Sequence, residues 1–364
     1  MKILMLVNWK VQYTSKVPEG VQPPDYYVEG EPYWFFRYFE DKDTEVDVVD
    51  ISSFPALERF EKEKIRFYIR QTLKVLPKLK NYDVVLSHGM QSGIVLCFLR
   101  KLFGKGDYKH IVFDIGAFNS AKESGRALRF MQYAGRSLDG VIYHTPAQID
   151  YYRKCHPWLT KKAFFIPFGT DTEFFDPEII EQKKTEKPFI LCIGYNKRDW
   201  KTLIDAYLMT DRSIPLRIIG NKDVEKYVDE KGFDETGKNN IVVLDKVSIE
   251  ELKMQIANAA FCVLPLKNFN YSFGQMTMLQ QMAMGKAVVA ADVPSLRPYF
   301  VEGANIKYES ENKEQLSKII ETLMHDKELC ESLGQKAKVV VKEQFNEQIM
   351  AGKIEDTIKY ICRK

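Results

Sequence analysis

Short runs of aliphatic and β-branched residues alternate along this chain with longer stretches in which apolar residues recur at helical spacing. Near-continuous apolarity predicts strands that are buried on both faces of a sheet. In the first half these strands are expected at 2–7, 46–51, 83–88, 110–115, 140–145 and 163–168. Helices are expected between them at 32–40, 60–80, 91–103, 121–137 and 147–155. Alternating strands and helices are typical of a doubly wound parallel sheet, so residues 1–168 are predicted to form one α/β domain.

The pattern breaks at FGTDTEFFDPEIIEQKKTEKP, where Gly, Pro and charged residues replace the periodic apolar ones, and 169–187 is predicted to be an interdomain linker. A second series of strands is expected at 189–194, 216–220, 240–245, 261–266, 287–292 and 305–309. Residues 188–345 are therefore predicted to form a second α/β domain, and 346–364 a helix that packs back on the first. The predicted fold class is α/β, with two Rossmann-like parallel-sheet domains facing a central cleft.

Composition changes this picture little. The length of 364 residues fits two domains, and the 45% hydrophobic and 28% charged fractions are ordinary for a soluble protein. A net charge of +3 with interspersed signs gives little support for a nucleic-acid partner. The six cysteines include no CxxC pair and are expected to be reduced core residues. The apolar run at the N-terminus is too short for a signal peptide, so a cytoplasmic protein is expected.

Two cations follow the first strand of the second domain. Arg198 and Lys201, in GYNKRDWKTLIDA, stand at the predicted start of a helix. Free N–H groups and the helix dipole favour anions there, so the pair is a candidate phosphate site. The alternative is a solvated first turn, since Lys and Arg are usually exposed.

The stretch YSFGQMTMLQQMAMGKAVVAAD raises a similar question after strand 261–266. Gly274 permits close backbone approach, and Gly285 suits a left-handed position after the helix. The N–H groups of Gly274 to Thr277 are candidates to hold a phosphate or sugar oxygen, and Gln280 to bond a ribose hydroxyl. Most of the Met residues are interpreted as core packing because of their helical spacing.

Four segments together resemble retaining glycosyltransferases of family 4, which have the GT-B fold. FIPFGTDTEFFDP resembles that family's linker motif, and ILCIGYNKRDWKTLIDAY and SFGQMTMLQQMAMGKAVVAAD resemble two donor-site motifs. SLDGVIYHTPAQIDYY is similar to a further family segment, so the resemblance covers nearly the whole chain.

The resemblance implies roles for particular residues. Arg198 takes the place of a phosphate-binding Lys, with Lys201 as a nearby second cation. Gln280 falls where the family has the Glu that binds the donor ribose, and Ser272 where it has a Glu near the donor sugar, so both carboxylates are absent. Gln280 can still bond a hydroxyl, whereas Ser272 removes an acid. Tyr195 stands where the family often has Arg.

The first domain offers His88 and Asp114, which end predicted strands and are expected to point toward the cleft as acceptor or donor-sugar contacts. The alternative for His88 is a cap on the helix that begins near Gln91. Gly30 is expected to let its loop approach the donor phosphates. The predicted catalytic residues are Arg198, Lys201, Asp114 and His88. The predicted donor-binding residues are Gly30, Gly194, Gly220, Val247, Ser272, Phe273, Gly274, Gln275, Met276, Thr277 and Gln280. No DxD motif or metal-ligand spacing is present in the sequence, so neither a metal nor a cofactor is expected.

Residues 61–80 carry apolar positions at helical spacing among many Lys and Arg. The pattern indicates either a sheet-packing helix with a solvated basic face or peripheral contact with an anionic membrane.

The resemblance implies a metal-independent, retaining transfer of a sugar from a nucleotide sugar to a glycan, lipid-linked or other acceptor. A nucleotide-sugar-binding protein with weak or no transferase activity is the alternative, because both family carboxylates are missing. An epimerase or phosphorylase with the same cleft is a third.

Overall fold

The computed structural model describes residues 1–116, 123–180, 187–195, 197–220, 224–225, 227–228, 240–269 and 273–363. These residues group into two compact units. The first unit comprises Met1–Pro167, 270–273 and Glu347–Lys364, and the second comprises Phe168–Phe269 and Gly274–Asn346. The stretch predicted to be a linker, as far as it is described, is therefore counted with the second unit up to Ile180, and residues 181–186 lie outside the described residues.

The first unit contains a six-stranded parallel sheet in the order β4-β1-β5-β6-β7-β8. Its strands are β1 (Lys2–Leu6), β4 (Glu45–Val49), β5 (Val84–His88), β6 (Lys109–Asp114), β7 (Gly140–Tyr143) and β8 (Ala163–Phe165). Two short strands, β2 (Gln12–Thr14) and β3 (Tyr26–Val28), pair with each other beside it. Strands β5, β6 and β7 are buried almost throughout, as their apolar runs predict. The predicted parallel α/β fold of this half is confirmed.

The helices of the first unit differ from the prediction at two places. The single helix expected over 60–80 is instead α1 (Pro55–Arg59), a π-helix (Phe60–Ile65), α2 (Ile69–Val75) and a 3-10 helix (Leu76–Asn81). The break has a local cause: Arg66 is left-handed, with φ of 59°, and Pro77 cannot continue a helix. The continuous apolar stripe predicted there is therefore wrong. Similarly, the helix expected at 32–40 is only a 3-10 helix, Trp34–Tyr38.

Three further helices of this unit match their predicted positions. They are α3 (Met90–Phe103), α4 (Arg126–Gly135) and α5 (Ala147–Cys155). Because α4 begins at Arg126, the predicted start at residue 121 is too early, and residues 121–122 lie outside the described part.

The C-terminal helix α11 (Glu347–Cys362) packs within the first unit through its buried carboxylates. Glu347 accepts hydrogen bonds from Trp34 Nε1 at 2.6 Å and Arg37 Nη2 at 2.8 Å. Glu355 accepts from the backbone N–H groups of Glu40 at 2.7 Å and Asp41 at 3.0 Å. Buried carboxylates satisfied in this way fix the helix in one register.

The second unit is another six-stranded parallel sheet, in the order β11-β10-β9-β12-β13-β14. Its strands are β9 (Ile190–Ile193), β10 (Leu216–Ile219), β11 (Ile241–Leu244), β12 (Phe261–Leu264), β13 (Val288–Asp292) and β14 (Ile306–Glu309). Its described helices are α6 (Trp200–Leu208), α7 (Ile249–Asn258), α8 (Gln275–Ala283), α9 (Lys313–His325) and α10 (Lys327–Gln344). The sheet has the strand order of a dinucleotide-binding fold, in which the connection reverses direction between β9 and β12.

No described helix is long and apolar enough to cross a bilayer. All six cysteines are free, and five are buried, which confirms the prediction for those five; Cys362 is exposed.

Candidate functional site

The carboxyl ends of β9 and β12 meet where the strand order of the second sheet reverses. In open α/β sheets this reversal leaves a crevice between the two loops that follow the strands, and ligands bind there. Here the two loops pair with each other: Arg198 and Leu266 form an antiparallel bridge, and Asp199 N–H donates to Pro265 O at 3.0 Å. The backbone around Arg198 is thus fixed directly at the crevice.

Arg198 turns its side chain inward at this position. Its Nε donates to Ile193 O at 2.9 Å, and its Nη2 donates to Thr277 Oγ1, at the start of α8, at 3.2 Å. Only 8% of the residue is exposed, and burial lowers the pKa of the guanidinium. Both of these acceptors are neutral oxygens, and an anion bound here would add a charged partner that offsets the desolvation of the cation.

Gly194 is required by this placement of the guanidinium. A Cβ built on Gly194 would lie 2.1 Å from Arg198 Nε and 2.4 Å from Cζ, closer than any real contact. Its φ of 151° is also unfavourable for other residues. The glycine predicted from sequence therefore makes room for a cation beside the end of β9.

The helix α8 begins as the sequence predicts. Gly274 is its N-cap, with φ of 85° and no side-chain cap, and Met278 N–H makes the first described helical bond, to Gly274 O. The N–H groups of residues 275–277 precede that bond, as at any helix N-terminus, and favour an anion. A Cβ at Gly274 would lie 2.6 Å from Leu266 Cδ1, so this glycine also lets α8 approach the β12 loop.

The Met residues of α8 and of the turn that follows it pack mostly in the core, which confirms that interpretation. Met278, Met282 and Met284 are at most 1% exposed, whereas Met276 is 38% exposed. Gln275 is also buried, and its Nε2 donates to Ser295 O at 2.9 Å, which ties down the first turn. Gln280 is partly exposed, and Phe273 is partly buried just before the cap. Ser272 lies outside the described residues.

Lys201 does not join Arg198 in this arrangement. It lies in the first turn of α6, its side chain is 68% exposed, and its Nζ bonds Asp205 Oδ2 at 2.6 Å one turn later. The alternative interpretation, an exposed cation in a solvated first turn, is therefore correct for Lys201 and wrong for Arg198.

Two predicted glycines and Val247 lie at neighbouring strand ends. Gly220 follows β10 and donates its N–H to Leu244 O at 3.1 Å; a Cβ there would meet Trp200 at 3.3 Å. Val247 follows β11 and is partly buried, and its backbone bonds the Tyr195 hydroxyl. These loops surround the Gly194 turn on the β10 side of the sheet.

The first unit has its own reversal point, between β1 and β5, and His88 lies there. Its ring is 4.7 Å from that of Trp9, 5.8 Å from Trp34 and 5.8 Å from Phe113, centroid to centroid. The α3 helix is capped by Gly89 without a side-chain bond, so the capping interpretation of His88 is wrong. Among the described residues, Nδ1 of His88 has no hydrogen-bond partner. Burial, with His144 nearby, lowers the pKa of His88 to about 3, so its imidazole is neutral at pH 7.

Asp114 is more enclosed than the sequence predicts. It is fully buried, and its carboxylate accepts from Gly116 N–H at 3.0 Å, Gln148 Nε2 at 3.1 Å and the Tyr152 hydroxyl. These donors favour a structural role, and the expectation that Asp114 opens toward a ligand is wrong for this conformation. Gly30 is exposed with φ of 84°, and a Cβ there would touch nothing within 4 Å.

One group of metal-type side chains occurs in the described part of the chain, and sequence spacing missed it. His325 Nε2 lies 2.7 Å from Asp211 Oδ2 and 3.7 Å from Glu321 Oε1. Asp211 is distant in sequence from the other two residues, and the three pair with one another at the surface.

The sequence reasoning also missed Asp199, which shapes the site without touching a ligand. It caps α6 by accepting from Thr202 N–H at 3.2 Å and Thr202 Oγ1 at 2.6 Å. The signal was present, since Asp directly before a helical pattern is a standard N-cap.

Residues 176–340, which include Arg198 and all of α8, match the family described as glycosyl transferases group 1. The matched part is somewhat less than half of the chain and lies almost entirely in the second unit, which is therefore similar to this family. No curated protein matches the chain in sequence. The fold of the whole chain is GT-B, as solved structures indicate. Sucrose-phosphate synthase from Thermosynechococcus elongatus is 16% identical with a TM-score of 0.69, over 96% of each chain.

Two further structures show the same fold. A glycosyltransferase from Rickettsia africae is 15% identical with a TM-score of 0.69, over 87% of this chain and 90% of its own. Anabaena HepE in complex with UDP is 16% identical with a TM-score of 0.67, over 99% of this chain and 100% of its own. At these identities the likeness concerns the fold alone.

Proposed function

We propose that this protein transfers a sugar from a nucleotide-sugar donor to a glycan, lipid-linked or other acceptor, with retention of the anomeric configuration and without a metal ion. The observation that carries the proposal is the buried Arg198 guanidinium, held by Ile193 O and Thr277 Oγ1 where the strand order of the second sheet reverses. HepE was crystallised with UDP and with UDP-glucose, which supports the same class of donor here.

The diphosphate is proposed to bind between Arg198 and the first turn of α8. Negative charge develops on the diphosphate as the bond to the sugar breaks, and fixed donors around it stabilise that charge. Arg198 supplies the positive charge, and the N–H groups of residues 275–277 supply dipoles aligned with the helix. In this proposal these groups perform the task that a divalent cation performs in other transferases.

The nucleoside is assigned to the neighbouring loops. Gln280, partly exposed one turn inside α8, is proposed to bond a ribose hydroxyl through its amide. Gly220, Val247 and Tyr195 line the adjoining strand ends and are proposed to border the base. The first unit is proposed to hold the acceptor, with His88 as a neutral hydrogen-bonding group.

A panel of nucleotides tests the proposal. UDP, GDP and ADP, and the matching glucose derivatives, should raise the melting temperature in the order of their affinity, because each binds only the folded state. Raising the ligand from its Kd to 100 times its Kd should add about 2.3 kcal/mol to the stability of the domain. The shift should persist in EDTA, as metal independence requires.

Each outcome of the panel has a defined meaning. If none of the nucleotides shifts the melting temperature, the donor assignment fails. A shift abolished by EDTA overturns metal independence only. Nucleotide-sugar binding without transfer to any of a set of glycan and lipid-linked acceptors favours the binding-protein alternative, which the amide of Gln280 motivates.

A lipid-linked acceptor requires access to a membrane, and we propose that residues 54–78, the basic segment, contact an anionic bilayer. Although its predicted stripe is broken, the segment exposes five large apolar side chains between 37% and 55%: Phe54, Phe60, Ile69, Leu73 and Leu76. Cations surround them, among them Lys62, Lys64, Arg66, Arg70 and Lys74, all exposed. Apolar area and Lys/Arg together are what interfacial binding requires.

Cosedimentation with vesicles tests this contact. The full chain should bind vesicles of phosphatidylcholine with 30% phosphatidylglycerol, roughly ten times more strongly than pure phosphatidylcholine. The double variant Phe60→Ser and Leu73→Ser should lose most of that binding, while Val339→Ser, an equally exposed apolar change in the second unit, should keep it. Equal binding of the double variant and the control removes the proposed contact.

A further inference from the structure

The second unit contains a cavity of about 560 Å³ at the amino ends of its strands. Four of its lining residues directly precede or nearly precede strands: Pro188 before β9, Ile214 before β10, Ala260 before β12 and Lys286 before β13. The opposite wall comes from the end of α9 and the start of α10. It comprises Leu323, Met324, Lys327, Cys330 and Glu331. The volume and the mostly apolar walls are those of a small-molecule site.

Lys286 is the unusual member of this lining. Its Nζ donates to Ala259 O at 3.0 Å, and burial lowers the pKa of the ammonium. In the part of the chain that the structure describes, no carboxylate pairs with it. Glu331 lies in the same lining but pairs with Lys327 at 3.3 Å, and both of those side chains are exposed. The ammonium of Lys286 therefore faces a mostly apolar cavity and donates to one neutral acceptor.

A partly buried ammonium without a counter-ion is costly, and an anion that entered the cavity would offset that cost. The walls in turn would accept an apolar body, because Ile214, Leu323 and Met324 offer hydrocarbon surface. We propose that this cavity binds an amphiphilic anion, a small apolar molecule with one carboxylate or similar acidic group, whose charge pairs with Lys286.

This site is distinct from the donor site. Arg198 and Gly274 lie beyond the carboxyl ends of β9 and β12, whereas the cavity lies at the amino ends of the same strands. Each of these strands has four residues and so spans roughly 13 Å. The two ligands should therefore bind together without competing.

Calorimetric titration of the full chain with 2-naphthoate, and with the neutral 2-naphthalenemethanol, tests the proposal. The naphthoate should bind at least tenfold more tightly than the alcohol, and this preference should disappear in Lys286→Met. In Lys327→Met, which removes a rim cation, the preference should remain. Saturating UDP should leave naphthoate binding unchanged.

The melting temperature distinguishes a ligand-binding role of Lys286 from a structural one. Without ligand, Lys286→Met should melt at the same or a higher temperature, because it removes a desolvated charge; loss of a needed structural bond would lower it. Met324→Trp, which fills the cavity and keeps Lys286, should abolish binding of both probes and serves if Lys286→Met does not fold. Unchanged naphthoate affinity in Lys286→Met or Met324→Trp, competition by UDP, or no saturable binding at millimolar naphthoate overturns the proposal. Failure of UDP itself to bind bears only on the donor site.

Discussion

Replacing Arg198 by Met should weaken binding of the donor diphosphate by about 10- to 100-fold, the loss expected for a hydrogen-bonded ion pair. Turnover should fall further, by about 10² to 10³ at saturating donor, because the guanidinium faces charge that grows as the sugar leaves. The change removes bonds to Ile193 O and Thr277 Oγ1 but also a buried charge, so folding should be largely preserved. Titration with the preferred nucleotide, initial rates and melting temperature measure the three effects.

A second variant, Gly194→Ala, displaces the Arg198 guanidinium without removing it. In Gly194→Ala the new methyl group would lie 2.1 Å from Arg198 Nε, which is too close, so the guanidinium must move. Donor binding should fall nearly as far as in Arg198→Met. Gly352→Ala is the matched control: it lies in α11 with nothing within 4 Å of a Cβ, and it should be neutral or slightly stabilising.

Together the two variants test whether the Arg198 guanidinium acts from its observed position. If Arg198→Met transfers sugar at the wild-type rate, Arg198 has no part in the reaction. If Arg198→Met is impaired while Gly194→Ala is normal, the guanidinium acts from another position than the one described. Arg198→Lys should recover only part of the binding, since an ammonium cannot bridge both acceptors and the ligand.

Acidification should destabilise the first unit strongly between pH 6.5 and pH 4. Burial lowers the pKa of His88 and His110 to about 3 and that of His144 and His156 to about 4, all below the value of 6.5 for an exposed imidazole. Below pH 6.5 the unfolded chain binds protons at these positions that the folded chain does not bind. The stability they allow is therefore complete above pH 6.5 and is lost as the pH falls toward 4.

The expected size follows from the same shifts. At pH 5 each of the four histidines costs about 2 kcal/mol, or about 8 kcal/mol together, a large part of the stability of an ordinary domain. A partly buried carboxylate such as that of Asp139 titrates at a lower pH than the one at which these histidines lose their contribution. For Asp139, burial alone would raise the pKa, but the His110 N–H, Arg100 and Lys105 hold it at about 2.

Denaturant unfolding at pH 7.5 and pH 5.0 measures this loss, with the fluorescence of Trp9 and Trp34 as a local probe beside His88. His110→Gln can keep a bond to Ser87 Oγ and should recover about a quarter of the loss, because one of four titrating groups is gone. His325→Gln removes an exposed imidazole of the second unit and should leave the loss unchanged. A stability that is flat between pH 7.5 and pH 5.0 contradicts the buried, neutral state of these histidines.

The sequence predicts the strands of both sheets, but it predicts the candidate site only in part. All twelve predicted strands are present, because strands buried on both faces need near-continuous apolar runs, and that pattern is local. The start of α8 was equally local, since Gly274 and Gly285 mark its two ends. The prediction of one long helix over 60–80 is wrong because hydrophobic periodicity does not reveal the left-handed backbone of Arg66. Pro77 is a helix-breaking residue that the sequence does show.

The sequence does not predict the orientation of the polar side chains. Arg198 and Lys201 are three residues apart, yet one is 8% exposed and bonded to the core while the other pairs with Asp205 in solvent. What separates them is the bridge between Arg198 and Leu266, some seventy positions later in the chain, which turns Arg198 inward. Likewise, Asp114 stands at a strand end, but Gln148 and Tyr152 enclose it from another helix.

The sequence alone determined the two α/β halves, the positions of their strands and the glycines at the ends of α8, because each depends on neighbours within a few residues. The tertiary structure decided the strand order, the burial of Arg198 and His88, and the cavity beside Lys286. These depend on which loops become adjacent once the sheets have formed, and hydrophobic periodicity along a chain does not specify that.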